Sequence, residues 1–189
     1  MAKSKKYYGK LCGTENERYI NSLLNDKFFN ELCSFSWLER KMSVDMCTLL
    51  RAMLLLDNKY HRYEYISLLS DGIESYAVHI NNNYSEQQKE QLYDIIDYLE
   101  KAFPSQNECL NKDTIPYIIL MADMAMGSEY NSLFDNYLIL PDDFHKWFEI
   151  FCKEHYKEFC NGGIHKGWDK EVVEKRVEIM RKSLEKYFE

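Results

Sequence analysis

Between Ser85 and Pro104 the chain spells out one complete helix, and this punctuation constrains the fold more than any other feature. Ser85-Glu86-Gln87-Gln88 is a capping box, in which first and fourth side chains satisfy backbone N–H groups that the first helical turn leaves open. Leu92, Ile95, Ile96, Leu99 and Phe103 then recur on one helical face, and the series stops before Pro104. The same grammar recurs along the chain. Thr14-Glu15-Asn16-Glu17 is a second box, opening the series Tyr19, Ile20, Leu23 and Leu24, and Asn25-Asp26 restarts the chain into "KFFNELC". Ser43 stands as N-cap before "VDMCTLLRAMLLL", with Asp45 in the first turn where a negative charge suits the dipole. A longer run, "YHRYEYISLLSDGIESYAVHI", carries a candidate break at Asp71-Gly72.

The second half reads alike. Asp113-Thr114 with Pro116 begins "YIILMADMAM", which Gly127 ends, and Ser128 opens a short piece through Phe134. Pro141-Asp142-Asp143 starts a helix carrying Phe144, Trp147, Phe148, Phe151 and Phe159, and a last helix runs from Asp169 to about Phe188. Breakers are scarce, with 7 Gly and 3 Pro in 189 residues, and no strand alternation interrupts the pattern. The expectation is an all-α fold, an irregular bundle of about eight or nine helices. It forms a single helical domain over 1–189, with 1–6 loose, and the start at Met1 favours a natural gene product.

One stretch invites a chemical reading: "YKEFCNGGIHKGWDKEVVEKRVEIM", Tyr156 to Met180. Cys152, His155, Cys160 and His165 follow the spacing C-x2-H-x4-C-x4-H, within the range of small zinc sites. Two of these residues, however, share a face with Phe148, Phe151 and Phe159, which commits that face to the core, and no metal is assigned. The glycines before a helix could cradle phosphate, but a P-loop needs a preceding strand and a Gly-Lys-[Ser/Thr] end, and neither is present. What remains is a set of candidate anion or nucleic-acid contacts: Lys166, Lys170, Lys175 and Arg176. A structural reading uses more of the residues. Asn161-Gly162 is a helix C-cap, Asp169 the next N-cap, and Trp168 with Val173 a hydrophobic staple, so the stretch is a helix-loop-helix corner.

Elsewhere, "KYHRYEY" places Tyr60, His61, Arg62 and Tyr63 together as a candidate aromatic and basic surface, against the plainer reading of a boundary helix. His79 ends an apolar run as a boundary histidine. The acidic pairs Asp94/Asp97 and Asp142/Asp143 are explained by surface and first-turn positions. No Gly-x-Ser-x-Gly, His-Glu-x-x-His, Gly-x-Gly-x-x-Gly or His-Asn-His cluster occurs, so no catalytic residue and no cofactor is assigned. The net charge of -7 disfavours nucleic acid as a partner. The apolar runs "LLRAMLLL" and "TIPYIILMADMAMG" fall short of the roughly 20 residues that span a bilayer. Six scattered cysteines read as reduced thiols, and the basic N-terminus lacks the apolar core of a signal peptide, so a cytoplasmic location is expected.

Several phrases taken in order resemble a bacterial family. "YYGKLCGTENERYINSLLNDKFFNELCSF", "ERKMSVDMCTLLRAMLLL", "LEKAFPSQN" and "HYKEFCNGG…VVEKRVEIMRKSLEKYF" are similar to the C-terminal helical half of the ParB/sulfiredoxin-like proteins, typified by the N-terminal part of GmrSD-type restriction enzymes. Arg176-Val177-Glu178-Ile179-Met180 occupies the place of that family's Arg-Ile-Glu-Ile-Met-like helix. The family's Asp-Gly-Gln-Gln-Arg signature is missing, since Asp71-Gly72 is followed by Ile-Glu, and so is the His-Asn-His nuclease of some members. The resemblance thus implies a non-catalytic helical module in phage defence, binding a ParB-like partner subunit or self-associating through an exposed apolar or aromatic patch. Its alternatives are a nucleic-acid-binding module using the 166–176 segment, and a phage or mobile-element protein that interferes with a host defence system.

Overall fold

The computed structural model describes residues 11, 13–64, 68–127, 138–161 and 168–189. Among these residues there are nine α-helices, one π-helical turn and no strand, so the fold is all-α. The elements are α1 (Glu15–Asn25), the π turn Phe28–Leu32, α2 (Trp37–Lys41), α3 (Val44–Lys59), α4 (Ser70–Asn83) and α5 (Glu86–Ala102). They continue as α6 (Ile115–Ala125), α7 (Pro141–Glu154), α8 (Tyr156–Asn161) and α9 (Lys170–Phe188). No helix is long and apolar enough to cross a membrane among the described residues.

Two helices are apolar nearly all round, and such helices belong in the middle. α3 buries residues on every side from Met46 to Asp57, and α6 does so from Ile115 to Ala125. They pack on each other more extensively than any other pair. The amphipathic helices surround them: α1 and α4 against α3, α5 and α9 against α6, and α7 across α5 and α9. Around α7 the core is aromatic. Phe144, Trp147, Phe148, Phe151 and Phe159 are all fully buried, with Phe103 edge-on to Phe148 at 5.4 Å.

Most of the expected starts that fall on described residues hold, with differences that have local causes. Ser85 caps α5 by a complete box: its Oγ accepts from Gln88 N at 3.3 Å, and the Gln88 side chain accepts from Ser85 N at 3.0 Å. Thr14 makes only half of one, because Glu17 reaches one residue further, to Gly13 N at 2.6 Å. Ser43 precedes α3 in a left-handed conformation (φ 55°) and gives no side-chain cap. After α1 the chain forms a π turn, and its wider winding lets Phe28, Phe29 and Leu32 all face inward.

Asp71-Gly72 does not break the chain, since α4 runs straight through it. The break comes earlier, at the end of α3, where His61 takes the left-handed conformation (φ 55°). His61 N donates to Asn58 O at 3.1 Å and Arg62 N to Asp57 O at 2.8 Å, the paired bonds of a Schellman cap. The expected Phe144–Phe159 helix divides at His155 into α7 and α8, which lets Phe159 pack edge-on against Tyr117 at 5.2 Å. The Ser128–Phe134 piece, Gly162 of the expected C-cap, and residues 1–6 lie outside the described residues.

Candidate functional site

Two places draw attention by chemistry, one buried and one exposed. The buried one lies where the C-terminal ends of α3 and α6 meet. Each helix carries an aspartate in its last turn, Asp57 and Asp123, both almost fully buried. Here a carboxylate is doubly disfavoured, by desolvation and by the negative end of its own helix. The neighbourhood answers with donors. Asp57 accepts from Tyr76 Oη at 2.6 Å and Gln88 Nε2 at 2.8 Å, with Arg62 at 3.5 Å. Asp123 accepts from Lys59 Nζ at 2.5 Å, Tyr60 Oη at 2.8 Å and Gln91 Nε2 at 2.9 Å. Arg62 donates to Gln91 Oε1 at 3.0 Å and joins the two halves. Burial, reinforced by the Asp57 charge, pushes the Tyr76 hydroxyl well above the ordinary phenol range, so it stays a donor.

The candidate aromatic and basic surface borders this network. Tyr60 binds Asp123, His61 is the helix cap, and Arg62 lies over the Tyr60 ring at 4.6 Å while reaching Asp57. Tyr63 packs on Tyr76 at 5.1 Å and on His79 at 4.7 Å, which makes His79 a boundary histidine in an aromatic cluster. His61 and Arg62 remain exposed, while Tyr60 and Tyr63 are half-buried and tied to the helix ends.

The exposed place is α2. None of its five residues is buried. Trp37 is 73 % exposed, Leu38 57 % and Met42, just past the helix, 49 %. Positions 37 and 41, and 38 and 42, lie one turn apart, so they share a face, and the Lys41 ammonium sits 4.7 Å over the Trp37 ring. Polar contacts hold this apolar face in place. Ser36 and Glu39 form a complete capping box, with Ser36 Oγ accepting from Glu39 N at 3.3 Å and Glu39 accepting from Ser36 N at 3.0 Å. Arg40 donates to Phe29 O at 2.7 Å and Asn30 O at 3.2 Å and lies 3.9 Å from Asp45. Lys112 reaches Glu39 at 2.6 Å, and with Ser36 it holds the Glu39 carboxyl down at about 2. The chain before α2 is pinned to the α5–α6 connection by Ser34 N to Leu110 O at 2.7 Å.

The basic segment is divided. Arg176 is only 7 % exposed; its Nε donates to Phe159 O at 3.3 Å, and its guanidinium lies over the Phe159 and Trp168 rings at 5.1 and 5.7 Å. It faces inward because α9 packs on α8 there, which removes it from a surface contact with phosphate. Lys170 and Lys175 are exposed, and Lys166 lies outside the described residues. Asp169 is the N-cap of α9 without a side-chain cap bond, and Trp168 stacks on Tyr117 at 5.8 Å. Of the zinc set, Cys152 lies beside Cys109, burial pushes its thiol well up, Cys160 is exposed, and His165 lies outside the described residues. Among the described residues no three His, Cys, Asp or Glu side chains converge on a metal position.

The sequence reading missed both α2 and the paired aspartates. Ser36-x-x-Glu39 was a legible capping box, and a lone aspartate inside "MLLLDNKY" and inside "IILMADMAM" was a legible oddity. No protein-family model matches the chain, and comparison with curated proteins and with solved structures gives no match either, so the likeness to the restriction-type helical family rests on the quoted phrases alone.

Proposed function

We propose that this chain is a non-catalytic helical interaction module that binds a partner protein through the Trp37–Leu38–Met42 face of α2. One observation carries the reading: a short helix presents its largest apolar side chains to solvent while capping and ion-pair contacts fix its orientation. Tryptophan is the residue type most enriched where interface energy concentrates, and a face already ordered loses little entropy on binding. The commitment of the two buried aspartates to tyrosine, glutamine, lysine and arginine partners supports a structural rather than catalytic use of the core polar groups. The occupant that follows from the sequence resemblance is a ParB-like subunit of a defence system; a second copy of this chain is the alternative. With Arg176 buried and a net charge of -7, the nucleic-acid alternative keeps little support.

The test is co-purification at low and high salt with the wild-type chain and the variant W37A/L38A/M42A, with light scattering over a range of concentrations. The reading expects a ParB-like protein, identified by mass spectrometry, to be retained at high salt by the wild type alone. A concentration-dependent dimer abolished by the variant would assign the face to self-association. Equal retention by both chains would remove α2 from the interface, and nucleic acid retained only at low salt would replace the reading.

A further inference from the structure

The outer face of α5 borders a groove lined by carboxylates and by no lysine or arginine, whereas the groove along α9 mixes Glu158 and Glu178 with Lys175, Lys182 and Lys186. Opposite its buried stripe, α5 carries Glu86, Glu90, Tyr93, Asp94 and Asp97 at helical spacing, and Tyr93 is 56 % exposed. Glu86 and Asp97 are compensated by Lys89 at 2.6 Å and Lys101 at 2.5 Å. Glu90 and Asp94, one turn apart, have no cation within ion-pair distance among the described residues. Both line a groove of about 270 Å³ between α5 and the end of α6, where the half-buried Met126 supplies apolar lining beside the buried Ile95. Asp123 lies at its base, already held by Lys59, Tyr60 and Gln91. The C-terminus of α6 opens into the same groove, so the negative end of its dipole adds to the two carboxylates. A second depression, of about 100 Å³, also borders Tyr93 and is lined by Asp26, Asp97 and Glu100 together with Lys27.

We propose that this face is a second docking surface, distinct from α2, for an arginine-bearing basic segment of a partner protein. The complementarity is specific to such a side chain. Its aliphatic stem fits against Met126, its guanidinium sits between Glu90 and Asp94, and a neighbouring arginine stacks on Tyr93. A chain of net charge -7 also draws a basic segment from a distance.

A fluorescein-labelled octa-arginine peptide titrated into the full chain at low ionic strength, followed by anisotropy, tests this. Saturable binding is expected, weakened about fivefold in E90Q/D94N, the scale of two partly desolvated ion pairs, and weakened also in Y93A. E171Q/E174Q removes the same charge from α9 and should bind like wild type, as should W37A/L38A/M42A, which separates this surface from the α2 reading. An equal loss in E171Q/E174Q would reduce the effect to net charge and overturn the proposal. So would an E90Q/D94N chain that binds undiminished, or the absence of saturable binding. Displacement of the peptide by equimolar spermine would put a small polyamine in the groove and overturn the peptide assignment.

Discussion

Helix α6 buries ten of its eleven residues, whereas α2 buries none of its five. The first is held by apolar burial and the second by a capping box, an arginine on two carbonyls and a lysine on a glutamate. Burial is non-directional and insensitive to salt, while capping and ion pairs fix direction and weaken with salt and acid. Thus one helix anchors the core, and the other offers an apolar face to solvent without collapsing onto it. The same contrast exists inside α6, where Asp123 is the one charged group and is held by three directional bonds.

The hardest test of the contrast is Asp123→Ala. It leaves Lys59 in a buried site without its anion and should lower the unfolding free energy by about 3–5 kcal/mol, read by urea denaturation. The double change K59M/D123L, which removes both charges, should lose clearly less; an equal loss would make packing, not an abandoned charge, the cause. Next, Ile119→Ala deletes methyls from the centre of α6 and should cost about 2–5 kcal/mol. Gly127, at φ 64° with Leu138 3.4 Å from where a Cβ would stand, ends α6 as a left-handed cap, and Gly127→Ala should cost about 1 kcal/mol by the same assay.

α2 should respond to pH where α6 does not. The Glu39 carboxyl is held at about 2 when folded, below its ordinary value of 4.5, so its stabilisation is fully present above pH 4.5 and is lost as pH falls towards 2. Because the pair is partly exposed, the loss should stay below about 1 kcal/mol. Carboxyl carbon NMR should show Glu39 titrating near 2 in the wild type and closer to 4.5 in Lys112→Met. The smallest effect belongs to Trp37→Ala, which should move stability by no more than about 0.5 kcal/mol while abolishing partner retention. A large stability loss there would mean that Trp37 packs on the protein after all.

Much of the fold was legible. Thr14 and Ser85 mark helix starts because they satisfy N–H groups of the first turn, Pro141 because its fixed φ and missing N–H suit the first helical position, and Asp169 stands as N-cap by its extended backbone. The candidate sites were less so. Arg176 sits in a basic run, and its neighbours on the chain say surface; only the approach of Phe159 and Trp168 turns it inward. His61 is exposed, and its role as the cap of α3 depends on where the α3 carbonyls point, which no local pattern shows.

The sequence by itself therefore determined the longer helices, many of their starts and the apolar faces they would bury, since capping, periodicity and breakers act within a few residues of one another. Tertiary structure alone decided that Asp57 and Asp123 would meet their partners across four helices, and that Trp37 and Leu38 would be left outside. Donors from Tyr76, Gln88 and Gln91 reach those aspartates from 19 to 32 residues away, and no local rule records which side chains a folded chain brings that close.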